Sequence, residues 1–175
     1  MEKMLKKLKK IMVVAAAVVM LSVGFATISP NAASAHWADQ HMNWALDNGY
    51  VTVDLRDSLA VRQDAWLIMI RAYQGPYHDA TMKHAHNMAS QLRVAEDGRP
   101  TDLVTRQEMA TFLYNFRYLA YSNKPWPGFG TTSNWAVRNG IFDGSRPQAY
   151  ATRAEVVTMI HNAKTKGLLD WVNYK

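Results

Sequence analysis

No cysteine occurs anywhere in the 175-residue chain. That absence excludes disulfides and a lipidated Cys, so an exported form must be held together by its apolar core. No Ser-His-Asp order, paired-carboxylate cleft or glycine-rich phosphate loop stands out either, and the chain is read as a non-enzyme. Net positive charge is small outside one short stretch. Twenty Lys and Arg against 14 Asp and Glu give +6, but five Lys and one Glu fall in the first ten residues, leaving +2 for the rest. With no clustered basic stripe, a nucleic-acid partner is not expected. The C-terminal residues 168–175 carry no long apolar tail preceded by a sorting signal, so retention at a cell surface is expected to be noncovalent.

The lysines that skew the charge are Lys3, Lys6, Lys7, Lys9 and Lys10. An apolar run from Ile11 to Ile28 follows them, and then Ala33-Ser34-Ala35. A basic start, an apolar middle and a small-x-small end read as a secretory signal peptide over residues 1–35, cleaved after Ala35. The expected mature chain, 36–175, is long enough for one domain with a proper core, and no membrane attachment is expected after cleavage.

What is present is a threefold echo. Asn43-Trp44-Ala45, Asn87-Met88-Ala89 and Asn134-Trp135-Ala136 each precede an arginine by the same interval: Arg62, Arg106 and Arg153 lie 18 residues after the middle of each triplet. Two residues beyond each Arg comes an acid: Asp64, Glu108 and Glu155. The spacing of 44 and then 47 residues predicts three units, at about 36–75, 76–122 and 123–175, that bury their apolar faces against one another.

After each Arg the apolar residues recur with helical period: Ala65, Ile68, Met69 and Ala72; Met109, Phe112, Leu113 and Phe116; Val156, Met159, Ile160 and Ala163. Three such stripes predict three long helices meeting in a central bundle. The Asn-x-Ala segments predict shorter helices, with Gly49 and Gly140 placed to end two of them. The fold class is therefore mainly α, three helix-loop-helix units with pseudo-threefold symmetry around a three-helix core. Loops rich in Asp, Gly, Pro and Ser, at 54–58, 96–101 and 143–148, join short helix to long.

Thr105 with Glu108, and Thr152 with Glu155, have the spacing of a capping box, in which hydroxyl and carboxylate satisfy backbone donors reciprocally. The arginines are harder to place. A cation in the first turn opposes the helix dipole unless an anion or an acidic side chain lies opposite. Bound anion and internal salt bridge are both open on these grounds. The first predicts that Arg153→Ala leaves stability level, the second that it lowers it.

His36-Trp37-Ala38, then Trp44-Ala45-Leu46-Asp47-Asn48-Gly49-Tyr50, and Thr152-Arg153-Ala154-Glu155 followed by Val156-Val157-Thr158-Met159-Ile160, resemble the S-layer homology family. The resemblance spans the expected mature chain as three consecutive copies. It implies a three-pronged bundle whose inter-prong grooves bind a secondary cell-wall polysaccharide, commonly through a pyruvylated sugar. By that resemblance Arg62, Arg106 and Arg153 contact the ketal carboxylate, with Trp37, Trp44, Trp135, Asp143 and Gly144 lining the sugar site, and the protein sits at the cell wall. Arg suits a carboxylate because its fork is bidentate. The first copy departs from the pattern at Val61, which replaces the capping Thr; the second has Met88 for Trp and Arg93 for Gly. The third keeps the pattern most fully, which puts Arg153 first among these sites. The alternative partner is a surface protein bound by the reused scaffold.

The cluster His78, Asp79, His84 and His86 could hold a metal only on extended backbone, since helix neighbours two apart diverge. His36 could chelate copper as a mature N-terminus, although its place in His-Trp-Ala explains it better. No metal and no cofactor are expected. Tyr118 and Trp126 lie outside the apolar stripe and could line a groove.

Overall fold

Each of the three apolar stripes lies on a thirteen-residue helix. The structure, a computed structural model, describes residues 35–76, 80–94, 98–120 and 122–170. The signal-peptide reading and the pair His78 and Asp79 fall outside those residues. Among the described residues the elements are α1 (Asp39–Asp47), α2 (Arg62–Gln74), α3 (Met82–Gln91), α4 (Arg106–Tyr118), α5 (Phe129–Arg138) and α6 (Arg153–Thr165), with isolated bridges and no β-strand. The protein is mainly helical.

The long helices α2, α4 and α6 bury their stripes in one core. All twelve stripe residues are buried, including Ile68, Met109, Leu113 and Ile160. Trp66 meets Phe112 with ring centroids 6.1 Å apart, and Tyr73 meets Phe116 edge-on at 4.9 Å. The short helices pack crosswise in sequence: α3 on α2, α5 on α4, and α1 on α6, so the first helix closes against the last. Asn48 and Asn139 cap α1 and α5, each turning its amide back onto the carbonyl of Trp44 or Trp135 at 2.8 Å. Gly49 and Gly140 follow with φ of 71° and 60°, the left-handed conformation that ends a helix. At the corresponding place after α3 stands Arg93, with φ of 58°.

Where the long helices begin, three extended residues form a closed cycle of backbone hydrogen bonds. Ala60 donates to Ala151, Ala151 to Val104 and Val104 to Ala60, at 2.9, 2.9 and 3.0 Å. All three residues are fully buried. The cycle brings the starts of α2, α4 and α6 side by side.

The seam between α1 and α6 holds a histidine pair. His41 and His161 place their Nδ1 atoms 2.8 Å apart, and Trp44 covers the His161 ring at 4.5 Å. Such a contact has room for one proton between the two nitrogens. Burial pushes both imidazoles below the ordinary histidine pKa, and His41 lowers His161 further by charge. The unfolded chain therefore takes up protons that the fold refuses. Stability is full above the unfolded value of about 6.5 and falls as pH drops below it. Melting curves between about pH 8 and pH 5 should show that decline, and the double substitution His41→Gln/His161→Gln should flatten it. In the core, Phe112→Ala should cost about 3 to 5 kcal/mol, measured by denaturant unfolding.

Candidate functional site

The three first-turn arginines are engaged by carboxylates of neighbouring helices. Arg62 Nη1 donates to Glu108 Oε1 at 2.6 Å, Arg106 Nη1 to Glu155 Oε1 at 2.6 Å, and Arg153 Nη1 to Asp64 Oδ2 at 2.5 Å. The pairs run from α2 to α4, from α4 to α6, and from α6 back to α2. Arg62 is 2% exposed and its guanidinium stacks over Trp66 and Phe112; Arg106 stacks over Phe142. An internal salt bridge thus answers the dipole at each helix start.

Glu108 and Glu155 divide their two oxygens between two tasks. Oε2 of each accepts the backbone N–H of Thr105 or Thr152, completing the capping boxes, while Oε1 takes the arginine of another helix. The first backbone N–H groups are occupied as well. Arg62, Arg106 and Arg153 donate theirs to Asp102, Ala149 and Ser58, and Gln63, Gln107 and Ala154 donate to Pro100, Pro147 and Arg56. The helix starts therefore offer a ligand no free backbone donors at these first two positions, although Nε of Arg106 and of Arg153 is buried without a hydrogen-bond partner.

Two grooves open beside these pairs. One, of about 510 Å³, is lined by Trp37, Arg106, Asp143, Arg146, Glu155, Thr158 and Asn162; Trp37 is 59% exposed. The other, of about 230 Å³, is lined by Arg62, Arg99, Glu108, Thr111, Asn115, Trp126 and Phe129. Their walls correspond position by position. Arg62 and Arg106 are 44 residues apart, while Arg99 and Arg146, Glu108 and Glu155, Thr111 and Thr158, and Asn115 and Asn162 are each 47 apart. Arg99 and Arg146 are loop residues with φ of 52° and 46°, and each approaches the carboxylate that also holds a first-turn arginine.

The chain matches no protein-family model and no curated protein. Geometry alone therefore speaks for the site. Of the expected ligand contacts, Trp37, Arg106 and Asp143 come together in the larger groove, and Arg62 lines the smaller. Asp143 accepts from Arg106 at 2.6 Å and from the Ser145 backbone and hydroxyl. Burial tends to raise its pKa, and these partners together outweigh that and hold it low. Gly144, at φ 82°, turns the chain there, and a side chain would press on Val137. Trp44 packs on Tyr50 and His161 instead, and Trp135 is buried against Tyr114 and Tyr118. Around Arg153 the positions of the Thr and Asn are taken by Leu67 and Arg71, and Arg71 is bonded to the carbonyls of Tyr50 and Ala80. The arginine placed first on sequence thus lies where the groove chemistry is most altered.

His84 and His86, both on α3, diverge. His84 Nε2 meets the Gln74 amide at 2.8 Å, and His86 lies against Trp66. Among the described residues no group of three metal-ligating side chains forms, and no helix is long and apolar enough to cross a membrane.

Three functional candidates escaped the sequence reading: Arg99, Arg146 and Arg93. The first two are ordinary loop arginines until the fold sets them at the groove mouths. Arg93 donates to the carbonyls of Ser122 and Lys124 at 2.6 and 2.8 Å, tethering the segment that carries Trp126. Its signal in the sequence was its place where glycine stands at 49 and 140, and the structure gives it their left-handed backbone.

Breaking the most buried ion pair should be costly. Arg62→Ala leaves Glu108 without its main cation and opens a void beside Phe112, so a loss of about 3 to 5 kcal/mol in unfolding free energy is expected.

Proposed function

We propose that this chain is a secreted, non-catalytic protein that holds itself to the cell envelope by binding an acidic wall polysaccharide in the grooves between three S-layer-homology-like units. The observation that carries the reading is the pair of grooves with corresponding walls. Each combines an exposed indole, an amide side chain, a carboxylate and two arginines. Aromatic faces give sugars an apolar platform, while forked and amide side chains give directional hydrogen bonds to hydroxyls and carboxylates. The cyclic order of hydrogen bonds and ion pairs supports a pseudo-threefold arrangement of the units.

Magnitudes choose among the cations. A buried ion pair loses several kcal/mol when one partner goes, whereas an exposed pair is worth about 0 to 1 kcal/mol. Arg99 and Arg146 have side chains 52% and 64% exposed, so they can exchange Glu108 and Glu155 for a ligand carboxylate, such as a pyruvyl ketal, at little cost. The first-turn arginines then shape and charge the floor from beneath. The pairing of all three also favours a second reading, a protein-binding module in which those arginines are wholly structural and the altered loops meet a surface protein.

Wall sacculi separate the two. The purified protein should sediment with sacculi, lose that binding once the secondary polymer is chemically stripped, and be competed off by free polymer. Trp37→Ala should weaken the binding without moving the melting temperature. Retention on stripped sacculi, or indifference to free polymer, would favour the protein-binding module.

A further inference from the structure

The seam between the first and last helices, away from both grooves, sets two imidazoles nitrogen to nitrogen. His41 lies on α1 and His161 on α6, 120 residues apart in sequence, with their Nδ1 atoms 2.8 Å from each other. Both rings are half-buried, so water and small ions reach them. Buried neighbours anchor the two positions: Met42 and Ala45 near His41, Ile160 and Ala163 near His161. Trp44 covers the His161 ring at 4.5 Å and is itself backed by Tyr50 at 4.9 Å.

Among the described residues neither ring joins an ion pair, and neither Nε2 has a protein partner. The proton of each neutral ring can therefore sit on Nε2, which leaves both Nδ1 lone pairs for a shared ligand. The spacing selects the ligand. Two adjacent nitrogens bound at about 2.0 Å in square-planar or octahedral coordination stand about 2.8 Å apart, whereas a tetrahedral metal spreads them to about 3.3 Å. The rings must turn until both lone pairs converge, and the ring torsion of histidine is broad enough to allow it. Imidazole suits copper and nickel, the metals of tetragonal geometry, and copper(II) binds such sites most tightly. No third metal-ligating side chain joins the pair among the described residues, so water supplies the other positions.

We propose that His41 and His161 form a two-imidazole site for copper(II) that clips the first helix to the last. The bound ion ties α1 to α6 in a chain that has no disulfide. Metal that prefers the folded chain to the unfolded one stabilises it by mass action. The site stands independently of the saccharide reading, since no wall of either groove contributes to it.

The test titrates copper(II) chloride into the purified protein, free of any histidine tag, near neutral pH, and follows heat and tryptophan fluorescence. A single equivalent should bind and quench part of the emission, because Trp44 stands beside the site. Nickel(II) should occupy the same site more weakly. His41→Gln or His161→Gln should each remove this binding step, while His36→Gln and His84→Gln should leave it. The melting temperature of the parent should rise with copper and return when a chelator is added. Copper is paramagnetic, so the amide NMR signals of the parent around His41 and around His161 should broaden together, an observation that needs no variant. Broadening centred elsewhere, binding that survives either glutamine substitution in the folded protein, or no binding at a single equivalent would overturn the proposal and leave the pair a structural hydrogen bond.

Discussion

The described fold is arranged around three arginines at helix starts, Arg62 and Arg106 buried and Arg153 partly so. A cation in the first turn works against the helix dipole, and a buried cation without a partner is costlier still. The fold answers both with one device, in which each long helix places its arginine on the carboxylate in the first turn of another. Because that carboxylate also caps its own helix through the second oxygen at Glu108 and Glu155, the ion pair and the helix start are coupled. At Glu108 and Glu155, loosening the pair would therefore disturb a helix cap and a buried charge together. With no disulfide in the chain, the pair between Arg153 and Asp64 joins residues 89 apart in sequence noncovalently.

Local signals in the sequence were read reliably because they act over one or two turns. Helical period located all three long helices, Thr with Glu three residues on located both capping boxes, and Gly49 and Gly140 marked two helix ends. The choice between bound anion and salt bridge was not legible, because it depends on which acid of a different unit lies opposite. The correspondence of the acids Asp64, Glu108 and Glu155 was visible as spacing, but their cyclic pairing is a property of the packing. The same limit applies to the tryptophans. Trp37, Trp44 and Trp135 look alike in sequence, but Trp37 precedes α1 and is exposed, while Trp44 and Trp135 lie on the short helices α1 and α5, partly buried and buried. Trp126 was legible as a residue outside the apolar stripe, whereas the Arg93 tether that positions it was not.

The saccharide reading follows from a division of labour. Under that reading the pairs Arg62–Glu108 and Arg106–Glu155 underlie the grooves, and the exposed side chains of Arg99, Arg146, Trp37 and Trp126 stand in their walls. Arg99 and Arg146, both with positive φ, follow the left-handed glycines Gly98 and Gly144 by one and two residues. The turns set Arg99 and Arg146 in the groove walls, each near the carboxylate that holds a first-turn arginine.

The pair that closes the ring offers the most direct measurement. A double-mutant cycle on Arg153→Met and Asp64→Asn, read by denaturant unfolding, should give a coupling free energy of about 0.5 to 3 kcal/mol, as expected for side chains in direct contact within one ion-pair network. Additive effects within about 0.3 to 0.5 kcal/mol would show the two residues to be independent and would contradict the closed relay.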